Sequence, residues 1–161
     1  MKKIIIAIVA LFVMGTAANA QLAGIGARFG GGQGYNAELS TLWSVGNRLE
    51  VDFGWGGHDY YHDFALTGIY QWTGNLGASG FGWFAGIGAR VGYWRWSAFG
   101  QKDHDIALAV AGQFGLEYKF SDAPIQLSLD IRPCYYFVPD MPNNKDRAHW
   151  GDIALGIRYM L

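Results

Sequence analysis

The sequence predicts an all-β fold, an eight-stranded antiparallel up-and-down transmembrane β-barrel. Three observations predict it. Beyond residue 20 the chain divides into eight stretches in which every second residue is apolar or small and never charged, and charge is confined to the other face. A soluble sheet turns its charges to water, so this pattern is inverted; it suits a closed sheet whose apolar face meets lipid and whose charged face meets an interior. The chain is also rich in glycine and aromatics and holds only four prolines, and after the first twenty residues no apolar run is long enough for a membrane-crossing helix.

Each stretch carries the alternation. In strand one (22–29), Ala23, Ile25, Ala27 and Phe29 face outward and Gly24, Gly26 and Arg28 inward. The glycines of 30–34 make a tight, flexible connection. In strand two (35–45), Tyr35, Ala37, Leu39, Thr41, Trp43 and Val45 face lipid, and Asn36, Glu38, Ser40 and Ser44 face inward. Gly46, Asn47 and Arg48 read as a short turn. Strand three sets Leu49, Val51, Phe53 and Trp55 outward against Glu50, Asp52, Gly54 and Gly56 inward; residues 57–63, polar and aromatic, read as a loop.

Strand four (64–72) turns Phe64, Leu66, Tyr70 and Trp72 outward, and 73–80 is a glycine-rich turn. Strand five (81–94) has Trp83, Ala85, Ile87, Ala89, Val91 and Tyr93 out and Gly86, Gly88, Arg90 and Gly92 in; 95–104 reads as a loop. Strand six (105–118) sets Ile106, Leu108, Val110, Phe114, Leu116 and Tyr118 out against three alanines, Gln113 and Glu117. After a turn at 120–124, strand seven (125–137) alternates Ile125, Leu127, Leu129 and Ile131 with Gln126, Ser128, Asp130 and Arg132. Pro133 cannot donate to a ladder, so a bulge or broken bond is expected there. Residues 138–148 read as a polar loop. Strand eight (149–161) has Ile153, Leu155, Ile157, Tyr159 and Leu161 out and Asp152, Ala154, Gly156 and Arg158 in.

An even strand number closes an antiparallel barrel with both termini on one side. In bacterial barrels the periplasmic turns are short and the external loops longer. The short connections follow strands two, four and six, so both termini are expected in the periplasm of an outer-membrane protein. Aromatics gather toward strand ends as two interfacial girdles: Trp43, Trp72, Trp83, Tyr118 and Tyr159 on the periplasmic side, and Phe29, Tyr35, Trp55, Phe64 and Tyr93 on the outer side.

Residues 1–20 form a separate segment. Lys2 and Lys3 precede a short apolar core, and Ala18-Asn19-Ala20 is a small-x-small cleavage site, so a cleaved secretory signal peptide is expected, with the barrel domain spanning 21–161. Cys134 is the sole cysteine, so no internal disulfide forms and closure of the sheet must supply stability. The balance of charge is near neutral and mildly acidic after the cut, which gives no footing for nucleic acid.

The inward face brings Arg28, Arg90, Arg132 and Arg158 against Glu38, Glu50, Asp52, Glu117, Asp130 and Asp152. An eight-stranded barrel has an interior just wide enough for side chains to fill. A paired, hydrogen-bonded polar core is therefore expected in place of a pore, since an unpaired buried charge costs too much to keep.

In pattern, the whole chain beyond residue 20 resembles the small outer-membrane β-barrels of Gram-negative bacteria, the OmpA/OmpX-like class. Its last strand (152–161) resembles the C-terminal signal read by the barrel-assembly machinery, although that signal ends in Phe or Trp and this chain ends in Leu161 with Tyr159 two before it. Segments 47–52 and 124–133 resemble a family of such barrels with no established activity. The resemblance implies outer-membrane lipid and lipopolysaccharide as surroundings and the assembly machinery as a partner in biogenesis.

The remaining candidates sit at the outer rim. His58, His62, His104 and His149 all fall there, and imidazoles flanked by Asp59, Asp63, Asp103 and Asp105 are of a type that suits zinc or a similar ion. The bland alternative is hydrated loop residues, and no cofactor is expected. Ser97, His104 and the neighbouring aspartates could serve a lipid-modifying hydrolase or acyltransferase if brought within hydrogen-bond reach, yet no motif marks them. Rim aromatics (Tyr60, Tyr61, Trp94, Trp96, Phe99, Tyr136, Trp150) suit either packing of the mouth or contact with an extracellular protein or glycan. Cys134 reads as small core filler. The expected role is a structural or surface-interaction barrel without catalysis; a lipid-modifying enzyme is the alternative, and a narrow channel or transporter a third.

Overall fold

The computed structural model describes residues 21–30, 37–58, 61–98, 101–138 and 148–161. The first twenty residues, and with them the expected signal segment, lie outside the described residues, as do 31–36, 59–60, 99–100 and 139–147.

The described β-segments run in chain order as β1 (Gln21–Gly30), β2 (Ala37–Val45), β3 (Asn47–His58), β4 (Tyr61–Asn75), β5 (Phe81–Ala98), β6 (Gln101–Lys119), β7 (Ile125–Ile131), β8 (Cys134–Val138), β9 (Ala148–His149) and β10 (Ile153–Met160). From β1 to β7 each pairs antiparallel with the next in sequence. β7 and β8 lie end to end along β6, and β9 and β10 follow along them. β10 then pairs with β1, from Gly24 opposite Met160 to Gly30 opposite Ala154, and this seam closes the sheet. The described residues thus form a closed, eight-stranded, up-and-down antiparallel barrel.

Burial follows the predicted alternation. In β7 exposed Ile125, Leu127, Leu129 and Ile131 alternate with buried Gln126, Ser128 and Asp130, and β10 repeats the pattern with Ala154, Gly156 and Arg158 buried. Hydrophobic side chains dominate the exterior, and ionic and amide side chains dominate the interior. The interior also holds an apolar part that the charge pattern gave no reason to expect: Leu42, Ile69 and Phe84 are fully buried, and Ile69 clusters with Ala109, Ala111 and Cys134.

The first described residue, Gln21, and Leu161 lie at one end of the barrel. There Leu161 N donates to Ala23 O and Met160 N to Pro124 O. The turns at Gly46, 76–80 and 120–124 lie at the same end. Gly46, Gly77 and Gly80 have φ of 66°, 79° and 82°, the left-handed region that glycine enters without strain.

Three expectations are corrected. The loops read at 57–63 and 95–104 are largely strand: β3 runs on to His58 and β4 starts at Tyr61, while β5 runs to Ala98 and β6 starts at Gln101. Antiparallel pairing satisfies the backbone in water as well as in lipid, so these hairpins continue where the apolar face is no longer needed. Arg48, read as a turn residue, pairs with Gln71 inside β3 and is buried. Of the loops read at 30–34 and 138–148, Gly30, Val138 and Ala148 belong to strands, and the rest lies outside the described residues.

The irregularity expected at Pro133 is present. Gly112 N donates to Pro133 O at 2.9 Å, and proline has no N–H to return the bond, so this pair towards β6 is held by one bond only. Towards the last strand, Ile131 is opposite Ile153 but Cys134 is opposite His149, so that strand holds one extra residue around Trp150 and Gly151.

Candidate functional site

The interior is the site that the strands build. Every second residue of each strand projects into it, and an eight-stranded barrel leaves just enough room for those side chains. The ten charged residues expected inside are all buried: Arg28, Glu38, Glu50, Asp52, Arg90, Glu117, Asp130, Arg132, Asp152 and Arg158. Arg48 joins them as a fifth interior arginine. Its side chain enters from the turn end, and the Gly-Asn before it masked it as a turn residue. Its one legible signal was the step of two from Arg48 to Glu50 and Asp52.

At the turn end, Arg48 donates to Glu117 at 2.5 Å and to Gln71 at 2.5 Å, and its guanidinium stacks over the Phe84 ring at 5.0 Å. Gln126 donates to the same Glu117 oxygen at 2.7 Å. Lys119, half-exposed at the mouth, completes this group at 3.2 Å from Glu117. At mid-height Glu50 accepts from Gln71 at 2.6 Å and Gln113 at 3.2 Å, and lies 3.0 Å from Arg158 and 3.1 Å from Arg132. Arg158 also donates to Ser40 and Ser128.

Arg132 is the hub. It bridges Glu50, Asp52 and Glu38, the last at 3.0 Å. Above it Arg28 meets Glu38 at 3.1 Å, Asp130 at 2.7 Å and Asp152 at 3.0 Å. Arg90 stands 3.7 Å from Glu38 and 3.8 Å from Asp152. One connected path of charge-assisted bonds therefore runs from Glu117 through Arg48, Gln71, Glu50, Arg132, Glu38 and Arg28 to Asp152. Arginine suits this role because its planar fork holds two or three carboxylates at once.

Small residues make the room. A Cβ on Gly156 would meet Ser128 Oγ and stand 3.0 Å from Arg158 Nη1, so glycine there lets that guanidinium lie across the barrel.

The exterior carries the two expected aromatic bands. Phe29, Trp55, Phe64 and Tyr93 are exposed toward the end opposite the termini, and Trp72 and Tyr159 toward the terminal end; Trp43, Trp83 and Tyr118 there are half-buried. Phe81 and Phe120, not anticipated, pack on Tyr118 at 4.6 and 4.8 Å between centroids. Tyr35 lies outside the described residues.

The described residues form a closed antiparallel sheet of eight strands, greasy outside and ionic within. It has the fold of a small outer-membrane β-barrel. Among solved structures it is similar to Neisserial surface protein A, with a TM-score of 0.61 and 12% identity over 88% of this chain and 96% of that one. No protein-family model matches the chain, and no curated protein matches it.

The rim candidates are only partly brought together. His149, half-buried, stands opposite Cys134 in the ladder and packs edge-on against Tyr136 at 5.6 Å. Cys134 is buried among apolar neighbours, its Sγ 3.8 Å from Arg132 O. The backbone of His62 is opposite Arg95, which is opposite His104; His58 is opposite Tyr61, and Ser97 opposite Lys102. The side chains of these last residues lie outside the described set, as do Asp59, Tyr60 and Phe99.

Proposed function

We propose that this chain is an integral barrel of the bacterial outer membrane, exported by a cleaved leader, with both termini periplasmic and a structural or surface-interaction role that involves no catalysis. The observation that carries the reading is the path of ion pairs from Glu117 to Asp152 across an interior surrounded by exposed aliphatic rows. A surface of that kind is stable against hydrocarbon and not against water. An interior of that kind is occupied by the chain's own side chains, which argues against passage of solutes and for a role at the rim.

Outer-membrane fractions should show a band whose mobility differs between unboiled and boiled samples. A tag inserted in segment 139–147 should be labelled by an impermeant reagent on intact cells, and one placed after residue 20 should not. Labelling of the second tag alone would reverse the orientation. Lipid A mass spectra from expressing and non-expressing cells should be identical; a change in acyl mass would instead favour a hydrolase or acyltransferase around Ser97 and His104.

A further inference from the structure

Glu117 and Lys119 stand two apart on β6 and so share a face of the strand, at the end of the barrel that holds Leu161. The turn between β4 and β5 passes beside them and encloses a cavity of about 470 Å³, lined by Asn75, residues 77–82, Glu117 and Lys119. The turn is held in shape by its own backbone. Leu76 N donates to Phe81 O at 3.1 Å, Phe81 N to Ala78 O at 3.1 Å and Lys119 N to Gly80 O at 2.8 Å. Gly82, opposite Glu117 in the ladder, leaves the way to the acid open: a Cβ there would stand 3.2 Å from Glu117 Cγ and 3.4 Å from its Oε1.

The two oxygens of this carboxylate are used differently. Oε2 accepts from Arg48 and Gln126, which come from β3 and β7 and fix the plane of the group. Oε1 lies on the cavity side, 3.2 Å from Lys119 Nζ. The Glu117 side chain is 4% exposed and that of Lys119 51%. One cavity thus presents a fixed, buried anion and a half-wet cation on a long flexible stem. An ion pair so exposed on one side contributes little, so Lys119 shifts at small cost. A lone amine would meet an acid that is already paired, and a lone anion would meet the carboxylate behind the lysine. A molecule that carries both charges on neighbouring atoms satisfies both groups and displaces neither.

We propose that this cavity binds a small zwitterion of the α-amino acid class, its ammonium on Glu117 Oε1 and its carboxylate on Lys119 Nζ. Asn75 and Ser79 add an amide and a hydroxyl to the wall. The membrane placement proposed above puts the cavity on the periplasmic side, but the binding does not depend on it.

The test uses the full barrel (21–161) refolded in micelles of a non-ionic detergent, with the amide signals of Gly80 and Gly82 followed by NMR as L-alanine is added. Saturable shifts are expected. Alaninamide, which lacks the carboxylate, and N-acetylalanine, which lacks the ammonium, should each bind more weakly, the second by about tenfold. Glu117→Gln should also weaken alanine about tenfold, and Lys119→Gln, at the exposed lip, about threefold. Asp122→Asn, in the next turn and outside the cavity, should leave the affinity unchanged. Should Glu117→Gln fail to fold, Lys119→Gln and the two blocked ligands decide. The absence of a saturable shift with alanine overturns the proposal. So does alaninamide or N-acetylalanine binding as tightly as alanine, or unaltered affinity in folded Lys119→Gln. Tag labelling that reversed the barrel would move the cavity to the cell exterior and leave the titration as it is.

Discussion

Arg132 shows what a single interior residue carries. Three carboxylates, Glu38, Glu50 and Asp52, lean on it, and its side chain is fully buried. Removing it leaves acids in a space that water cannot readily reach, which costs about 3–5 kcal/mol. Arg132→Ala is therefore expected to unfold at clearly lower urea in detergent micelles and to lose its heat-resistant fast-running band. Arg48→Ala should be milder, because Arg48 sits by the mouth and Lys119 remains 3.2 Å from the Glu117 it would abandon. Equal losses in the two variants would contradict a hub. Arg48 is also where the sequence misleads: a Gly-Asn pair announces a turn two residues too far, and only its mates across the barrel, Gln71 and Glu117, reveal its side.

At the scale of elements, the seam between β1 and β10 decides closure. A Cβ at Gly26 would collide with Ile157 O and approach Arg158 Cα to 2.5 Å. Gly26→Ala should lower the refolded fraction in micelles, read as the share of unboiled protein with folded mobility. Gly68→Ala, where nothing lies within 4 Å of the added carbon, should not; a loss as large at Gly68 would assign the effect to glycine content and not to the seam. The strand faces themselves were legible from Glu50-Val51-Asp52-Phe53 onward, because lipid outside and ions inside leave one register per strand. Strand ends were less legible. Beyond the membrane layer both faces meet water, so nothing in the alternation of residues 57–63 or 95–104 distinguishes a wet hairpin from a loop. The apolar interior residues Leu42, Ile69 and Phe84 were hidden for a related reason: they are hydrophobic on either reading, and only the pleat assigns them a side.

For the whole molecule, a filled interior predicts poor conduction. Planar-bilayer recordings should show no steady large steps, and their appearance would refute a plugged barrel. The ionic path is legible in the sequence as a set of inward charges, but its order is not: which arginine meets which acid depends on heights set by strand stagger. That is why Arg28 meets Asp152 and Asp130 as well as the near Glu38.

Those partners have a temporal meaning. Arg28 and Asp152 are 124 positions apart in the chain, and Arg132 lies 94 from Glu38. Almost none of the ionic bonds can exist while the polypeptide is still emerging. Until the later strands dock on its first, Arg28 has only the near Glu38 and lacks Asp130 and Asp152. Contacts so remote make formation slow and concerted, and they turn completion itself into a checkpoint: a chain cut short of Asp152 cannot settle into a smaller version of the same object.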